Sequence, residues 1–171
     1  MRHLDRKTGL LSPSDTTLYS LANRGKDAEL GPHKPGLPPD TEAIEAPFII
    51  HHGDFFYLFV SYDLCCRGLN STYHTMVGRS QTVTGPYLDR DGKPMNEGGG
   101  SPLLTANSLW LGPGGESLLQ QPGKPDLIVF HAYSAKDGHP ALHISSLGWK
   151  DGWPAASLEG DGRPPLAAEV K

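Results

Sequence analysis

Residues 48–62 set the strongest constraint on the fold. Phe48-Ile49-Ile50-His51 and Phe55-Phe56-Tyr57-Leu58-Phe59-Val60-Ser61-Tyr62 are apolar, aromatic-rich runs separated by the turn His52-Gly53-Asp54. Two such runs joined through a glycine turn predict a β-hairpin. Further strands are expected over 72–78, 117–121, 127–132 and 141–147, with Pro86-Tyr87-Leu88 a short extension. No segment carries a 3.6-residue apolar period over a helical length, so the fold class is all-β. Short strands with regular turns suit a sandwich, a barrel or a propeller, and the pattern alone does not choose among them.

Composition agrees with a turn-rich chain. Of 171 residues, 21 are glycine and 16 proline, while hydrophobic residues make up 37 % and charged ones 20 %. The length fits one domain. Of the aromatic residues, only Tyr19 precedes Phe48 and none follows Trp153, which confines the core-forming part to roughly 44–155. Residues 1–43 read as weak elements and a loop in which Pro32, Pro35, Pro38 and Pro39 exclude a helix or central strand, and 156–171 read as a tail. A net charge of −4 argues against nucleic acid as a partner. No run of 18 apolar residues suggests a membrane span, and the polar start Met1-Arg2-His3-Leu4-Asp5 shows no signal peptide.

Several residues are candidates for chemistry. Glu45 lies among apolar neighbours in Ala43-Ile44-Glu45-Ala46-Pro47-Phe48, where burial would raise its pKa toward that of a general acid. The alternative is a surface glutamate at a strand entrance. Cys65 and Cys66 are adjacent, which favours two free thiols over a strained ring, and they lack the spacing of a zinc site. Asp89-Arg90-Asp91-Gly92 is a turn and not a calcium loop, because its glycine comes too early and no glutamate closes it. Gly98-Gly99-Gly100 and Gly112-Pro113-Gly114-Gly115 lack the residues of a phosphate loop and reflect backbone requirements. Asn70-Ser71-Thr72 fits the N-glycosylation acceptor pattern. His131 ends an apolar strand, as a packing residue or in the lining of a polar cavity.

In order along the chain, several motifs together resemble glycoside hydrolase family 43, specifically its endo-1,5-α-L-arabinanases. They are Ala43-Ile44-Glu45-Ala46-Pro47-Phe48-Ile49, His52-Gly53-Asp54-Phe55, Cys65-Cys66-Arg67-Gly68, Val77-Gly78-Arg79-Ser80, Thr84-Gly85-Pro86-Tyr87, Gly112-Pro113-Gly114, His131-Ala132-Tyr133 and Gly152-Trp153-Pro154. The match covers about residues 43–155, with a weaker one at Leu4-Asp5-Arg6-Lys7-Thr8-Gly9.

The resemblance implies a five-bladed β-propeller of which this chain supplies two to three blades, with 1–43 a partial blade and a Pro-rich loop. It implies inverting hydrolysis of α-1,5-linked arabinan, for which a general acid and a general base act from opposite faces. Glu45 falls on the family's general acid. The family's base and a pKa-tuning Asp belong to earlier blades. Asp5 aligns with an ordinary turn, and Asp15, Asp27 and Asp40 fit neither motif, so little or no activity is expected from the chain alone. The family's calcium-ligand position is Gly115, which has no side chain, so no metal is expected, and His131, in the His-Ala-Tyr strand, is not assigned as its replacement. The expected partner is arabinan or an arabino-oligosaccharide. A non-catalytic carbohydrate-binding remnant, stacking sugars on Phe55, Tyr62, Trp110 and Tyr133, is the alternative. An open blade edge invites self-association. The family is typically extracellular.

Overall fold

The computed structural model describes residues 1–24 and 43–160. Most of the Pro-rich stretch, with Asp27 and Asp40, and residues 161–171 of the expected tail lie outside them. Eight strands form two four-stranded antiparallel sheets in simple chain order. The first holds β1 (Ile44–His52), β2 (Phe55–Tyr62), β3 (His74–Ser80) and β4 (Ser101–Leu104). The second holds β5 (Trp110–Leu119), β6 (Asp126–Ser134), β7 (Pro140–Lys150) and β8 (Trp153–Ala155). The described residues contain no α-helix, and the expected 48–62 hairpin is β1–β2, turned at Gly53-Asp54.

β2 shows why its sequence is apolar without alternation. Tyr57 and Phe59 face the space between the sheets, where they meet Ile128, Phe130, Ala132 and Leu147 of the second sheet. Leu58, Val60 and Tyr62 face the other way, onto Tyr87 and Met95 of the β3–β4 connection and Leu21 and Ala22 of the N-terminal segment. A strand covered on both faces has no solvent side on which to place polar residues. Leu18 to Ala22, expected as a short strand or turn, takes no regular structure and serves as part of this cover. Arg24 anchors that segment, with Nε donating to Asp63 Oδ1 at 2.7 Å and its guanidinium 5.1 Å from the Tyr62 ring centroid.

Two strands escape the sequence pattern. β4 (SPLL) and β8 (WPA) are short and contain proline, which is tolerated because both lie at the outer edges of their sheets. β5 begins at Trp110, well before the expected Ser117. Its glycines are poor strand formers, but the ladder to β6 continues through them with two irregularities, between Leu111 and Gly114 and between Gly114 and Ser117.

The sheets meet along β5, which touches β1, β2 and β3. Close approach there requires glycine. A Cβ on Gly114 would lie 2.3 Å from Tyr73 Cδ1 and 2.8 Å from Ser61 Oγ. Polar contacts cross the same boundary. Thr75 Oγ1 donates to the Pro113 carbonyl at 3.3 Å, and Tyr57 Oη to the Gly152 carbonyl at 2.5 Å.

Gly114→Ala should therefore lower stability by about 1–3 kcal/mol, the range for overpacking a closed interior. Gly53→Ala meets no atom within 4 Å and carries only the strain of a positive φ, worth about 1–2 kcal/mol. Urea unfolding of the two variants should rank them in that order.

Candidate active site

Glu45 sits on β1 opposite Ser61 of β2. Immediately after it the ladder breaks, and pairing resumes at Phe48. The break has a local cause. Pro47 has no N–H to give, and Ala46 adopts φ +53°, a left-handed conformation uncommon outside glycine. Bulges re-aim side chains and recur beside active sites. Here the bulge leaves Glu45 exposed, where its apolar sequence neighbours had suggested enclosure. Tyr73 Oη donates to Glu45 Oε1 at 2.8 Å. Burial, reinforced by the Glu45 and Glu116 charges, holds the Tyr73 phenol well above its ordinary pKa, so it remains a donor.

A second carboxylate lies behind this pair. Glu116 of β5 is 3 % exposed. Its Oε2 accepts from Ser61 Oγ at 2.5 Å and from Thr75 Oγ1 at 3.3 Å, while Oε1 is buried without a hydrogen-bond partner. Ser61 Oγ also accepts the Gly115 N–H at 2.9 Å. Burial pushes the Glu116 pKa up to about 7, with the Ser61 hydrogen bond opposing the rise. Nothing in the motif pattern pointed to Glu116. The available signal was a lone carboxylate two residues before Leu118, a residue that packs on the core, within a strand-forming run.

His131 completes the cluster from β6. Its ring centroid lies 5.7 Å from that of Tyr73, and Nε2 is 3.1 Å from Tyr133 Oη, which also accepts the Cys66 N–H at 2.8 Å. Assigning the Tyr133 proton to Nε2 leaves the neutral imidazole's own proton on Nδ1. Burial lowers the His131 pKa against the pull of the Glu45 charge. The half-buried ring thus stands against Tyr73, Tyr133 and Gly115.

Cys65 and Cys66 form a disulfide, correcting the expectation of two free thiols. The pair lies on an irregular connection and not on a strand, and Cys66 there takes φ +65°. The same connection reaches the second sheet through the Cys66–Tyr133 hydrogen bond.

Calcium binds through six to eight oxygen ligands, and the described residues do not fit it at the Gly115 position. Residue 115 has no side chain, and a Cβ there would lie 2.8 Å from His131 Nδ1. Among the described residues no group of three or more His, Cys, Asp or Glu could hold a metal ion.

The remaining candidates disperse. Asp5 caps a turn through the Lys7 and Thr8 N–H groups, each at 2.9 Å, and those bonds lower its pKa. Asp15 accepts from the Thr17 N–H, which holds its pKa at about 2, and contacts His3. Asp89 to Gly92 is a turn, as expected. Asn70 is exposed in a short 3-10 turn. Of the four proposed stacking aromatics, Tyr62 and Tyr133 are buried, which overturns them as sugar platforms. Phe55 and Trp110 are partly covered and pack on the core between the sheets.

Two outcomes are expected. Thiol titration of the denatured, unreduced chain should find no free thiol. The folded chain holds a proton on Glu116 that the unfolded chain releases above about pH 4.5, so this residue's contribution to stability falls as pH rises from about 4.5 to 7 and is level above that. Glu116→Gln removes this dependence. The difference in stability between wild type and variant should change by roughly 3 kcal/mol across that window, read from urea midpoints; groups common to both proteins cancel in the difference.

Known proteins resemble this chain in sequence and fold. The family model for glycosyl hydrolases family 43 matches residues 13–154. An extracellular exo-α-(1→5)-L-arabinofuranosidase of Cellvibrio japonicus is 53 % identical over 124 residues, covering 69 % of this chain and 35 % of its own length. An extracellular endo-α-(1→5)-L-arabinanase of Bacillus subtilis is 42 % identical over 153 residues, covering 89 % of this chain and 41 % of its own. The solved α-L-arabinanase of Cellvibrio cellulosa in complex with arabinohexaose superimposes with a TM-score of 0.76 at 40 % identity, over 90 % of this chain and 48 % of that one. The chain thus spans about two-fifths of these curated relatives and about half of the solved structure. Its two sheets are blades of the five-bladed propeller of those arabinanases, and the chain belongs to glycoside hydrolase family 43.

Proposed function

We propose that this chain is the acid-bearing part of an inverting hydrolase of α-1,5-linked arabinan, with Glu45 as the general acid. The observation that carries the proposal is the Tyr73–Glu45 hydrogen bond at the bulge after Glu45. With Oε1 held by a permanent donor, Oε2 is the oxygen that presents a proton to the leaving glycosidic oxygen. Inversion also needs a base that activates water on the opposite face of the sugar. Glu116 is enclosed behind Ser61 and cannot reach such a water, and Asp5 and Asp15 are committed to turns. The base is assigned outside the described residues, to an earlier blade, as the family resemblance implies. General base assistance is worth roughly 10²- to 10⁴-fold, so the chain alone should turn over slowly or not at all.

The solved relative bound to arabinohexaose supports the substrate class. Relatives with exo and endo action both match, so the proposal extends to the linkage and not to the mode of attack. Two relatives named extracellular support the same compartment, and the Cys65–Cys66 disulfide suits an oxidising one.

Arabinohexaose titrated calorimetrically into the chain should bind saturably, and Glu45→Gln should keep that affinity within a few-fold. Absence of binding, or equal binding of xylohexaose, would overturn the substrate assignment. Reducing-sugar release from debranched arabinan that Glu45→Gln abolishes would show a complete acid–base pair here and overturn the placement of the base.

A further inference from the structure

The Cys65–Cys66 disulfide contributes little to folding. A disulfide stabilises mainly by constraining the unfolded chain, and the gain grows with the loop it closes. Here the bonded residues are neighbours in sequence, so no loop of consequence is closed. Both lie on the connection between β2 and β3, Cys65 half-buried and Cys66 exposed. What the bond supplies there is a surface.

That surface stands at the acid end of the blade boundary. The carbonyl of Leu64, next to Cys65, accepts from the Thr72 and Tyr73 N–H groups at 2.9 and 3.1 Å, and Tyr73 is the residue that holds Glu45. The Cys66 N–H donates to Tyr133 Oη at 2.8 Å on the neighbouring blade. Tyr133 in turn contacts His131, whose ring faces Tyr73. The connection also seats against the turn between β6 and β7, where a Cβ on Gly68 would lie 3.2 Å from the Gly138 carbonyl oxygen. Held by its own base and by the second blade, the disulfide is a fixed feature a few side chains from Glu45.

Three aromatic rings at this end, those of Tyr62, Tyr73 and Tyr133, are buried and offer no face to a ligand. The exposed half of the disulfide does. Bonded neighbours close a small ring through their own peptide bond, which leaves no free side-chain rotor to immobilise on binding. The sulfurs are soft, polarizable and uncharged, which suits dispersion contact with the C–H face of a neutral sugar ring. We propose that the Cys65–Cys66 disulfide is a platform for an arabinofuranose unit of the substrate, away from the linkage that Glu45 protonates. The inference rests on the arabinan reading above and adds to it a contact that exists only in the oxidised chain.

Arabinohexaose titrated calorimetrically into the full chain, first oxidised and then reduced with a phosphine, tests it. Reduction turns the disulfide into two thiols and the phosphine into its oxide, water supplying the oxygen. Affinity should fall roughly fivefold, the scale of one lost contact with sulfur. The urea midpoint should stay where it is, because no long loop is released. Cys65→Ser combined with Cys66→Ser should give the same loss. On the oxidised chain carrying isotope-labelled cysteine, bound hexaose should show nuclear Overhauser contacts between the Cys66 β protons and sugar ring protons, which a bond that only braced the connection would not produce. Absence of hexaose binding to the oxidised chain would sink the arabinan reading and the platform with it. Binding indifferent to reduction, or binding weakened by reduction without those proton contacts, would overturn the platform and leave the substrate reading standing.

Discussion

The buried hydrogen bond between Ser61 and Glu116 is the constraint around which the rest is arranged. A carboxyl group sealed between two sheets is costly unless its oxygens are satisfied, and one of these, Oε1, is not. The blade boundary accommodates it by raising the group's pKa to about 7, so that it is protonated below neutral pH, and by supplying the Ser61 and Thr75 hydroxyls to the other oxygen. Ser61, held in this way, fixes the Gly115 amide. The glycines around it let Tyr73 and His131 close in. Tyr73 in turn holds Glu45. The exposed acid candidate is thus positioned by a chain of contacts that begins with a carboxylate solvent scarcely reaches.

What was legible in the sequence follows from how local each cause is. The β1–β2 hairpin was readable because its apolar runs and glycine turn lie within fifteen consecutive residues. Glu45 was readable as a motif residue, but its exposure was not, because a proline and a left-handed alanine turn it outward. Tyr62 and Tyr133 looked like sugar platforms by residue type alone; only tertiary packing buries them. β4 and β8 were hidden by prolines that are harmless at an outer edge. Glu116 was invisible because its significance depends on Ser61 and Thr75, which approach from other strands.

The two ends of the first blade carry different chemistry on the same strands. At one end β2 finishes in Ser61 and Tyr62, close to carboxylates, a phenol and an imidazole. At the other it begins with Phe55 beneath an arginine. The strands between act as a rigid spacer, so neither cluster needs to adjust to the other. The disulfide loop belongs to the first end, tying the β2–β3 connection to Tyr133 of the neighbouring blade.

β2 has a further consequence for how the molecule opens. It is hydrogen-bonded on both edges and covered on both faces, by the second sheet on one side and by the β3–β4 connection with the N-terminal segment on the other. No partial loosening exposes its amides to water. Local fluctuations can fray β4 or β8, but solvent exchange at the centre of β2 requires both layers to separate, which makes this strand the reporter of global unfolding and the last part of the chain to forget its structure.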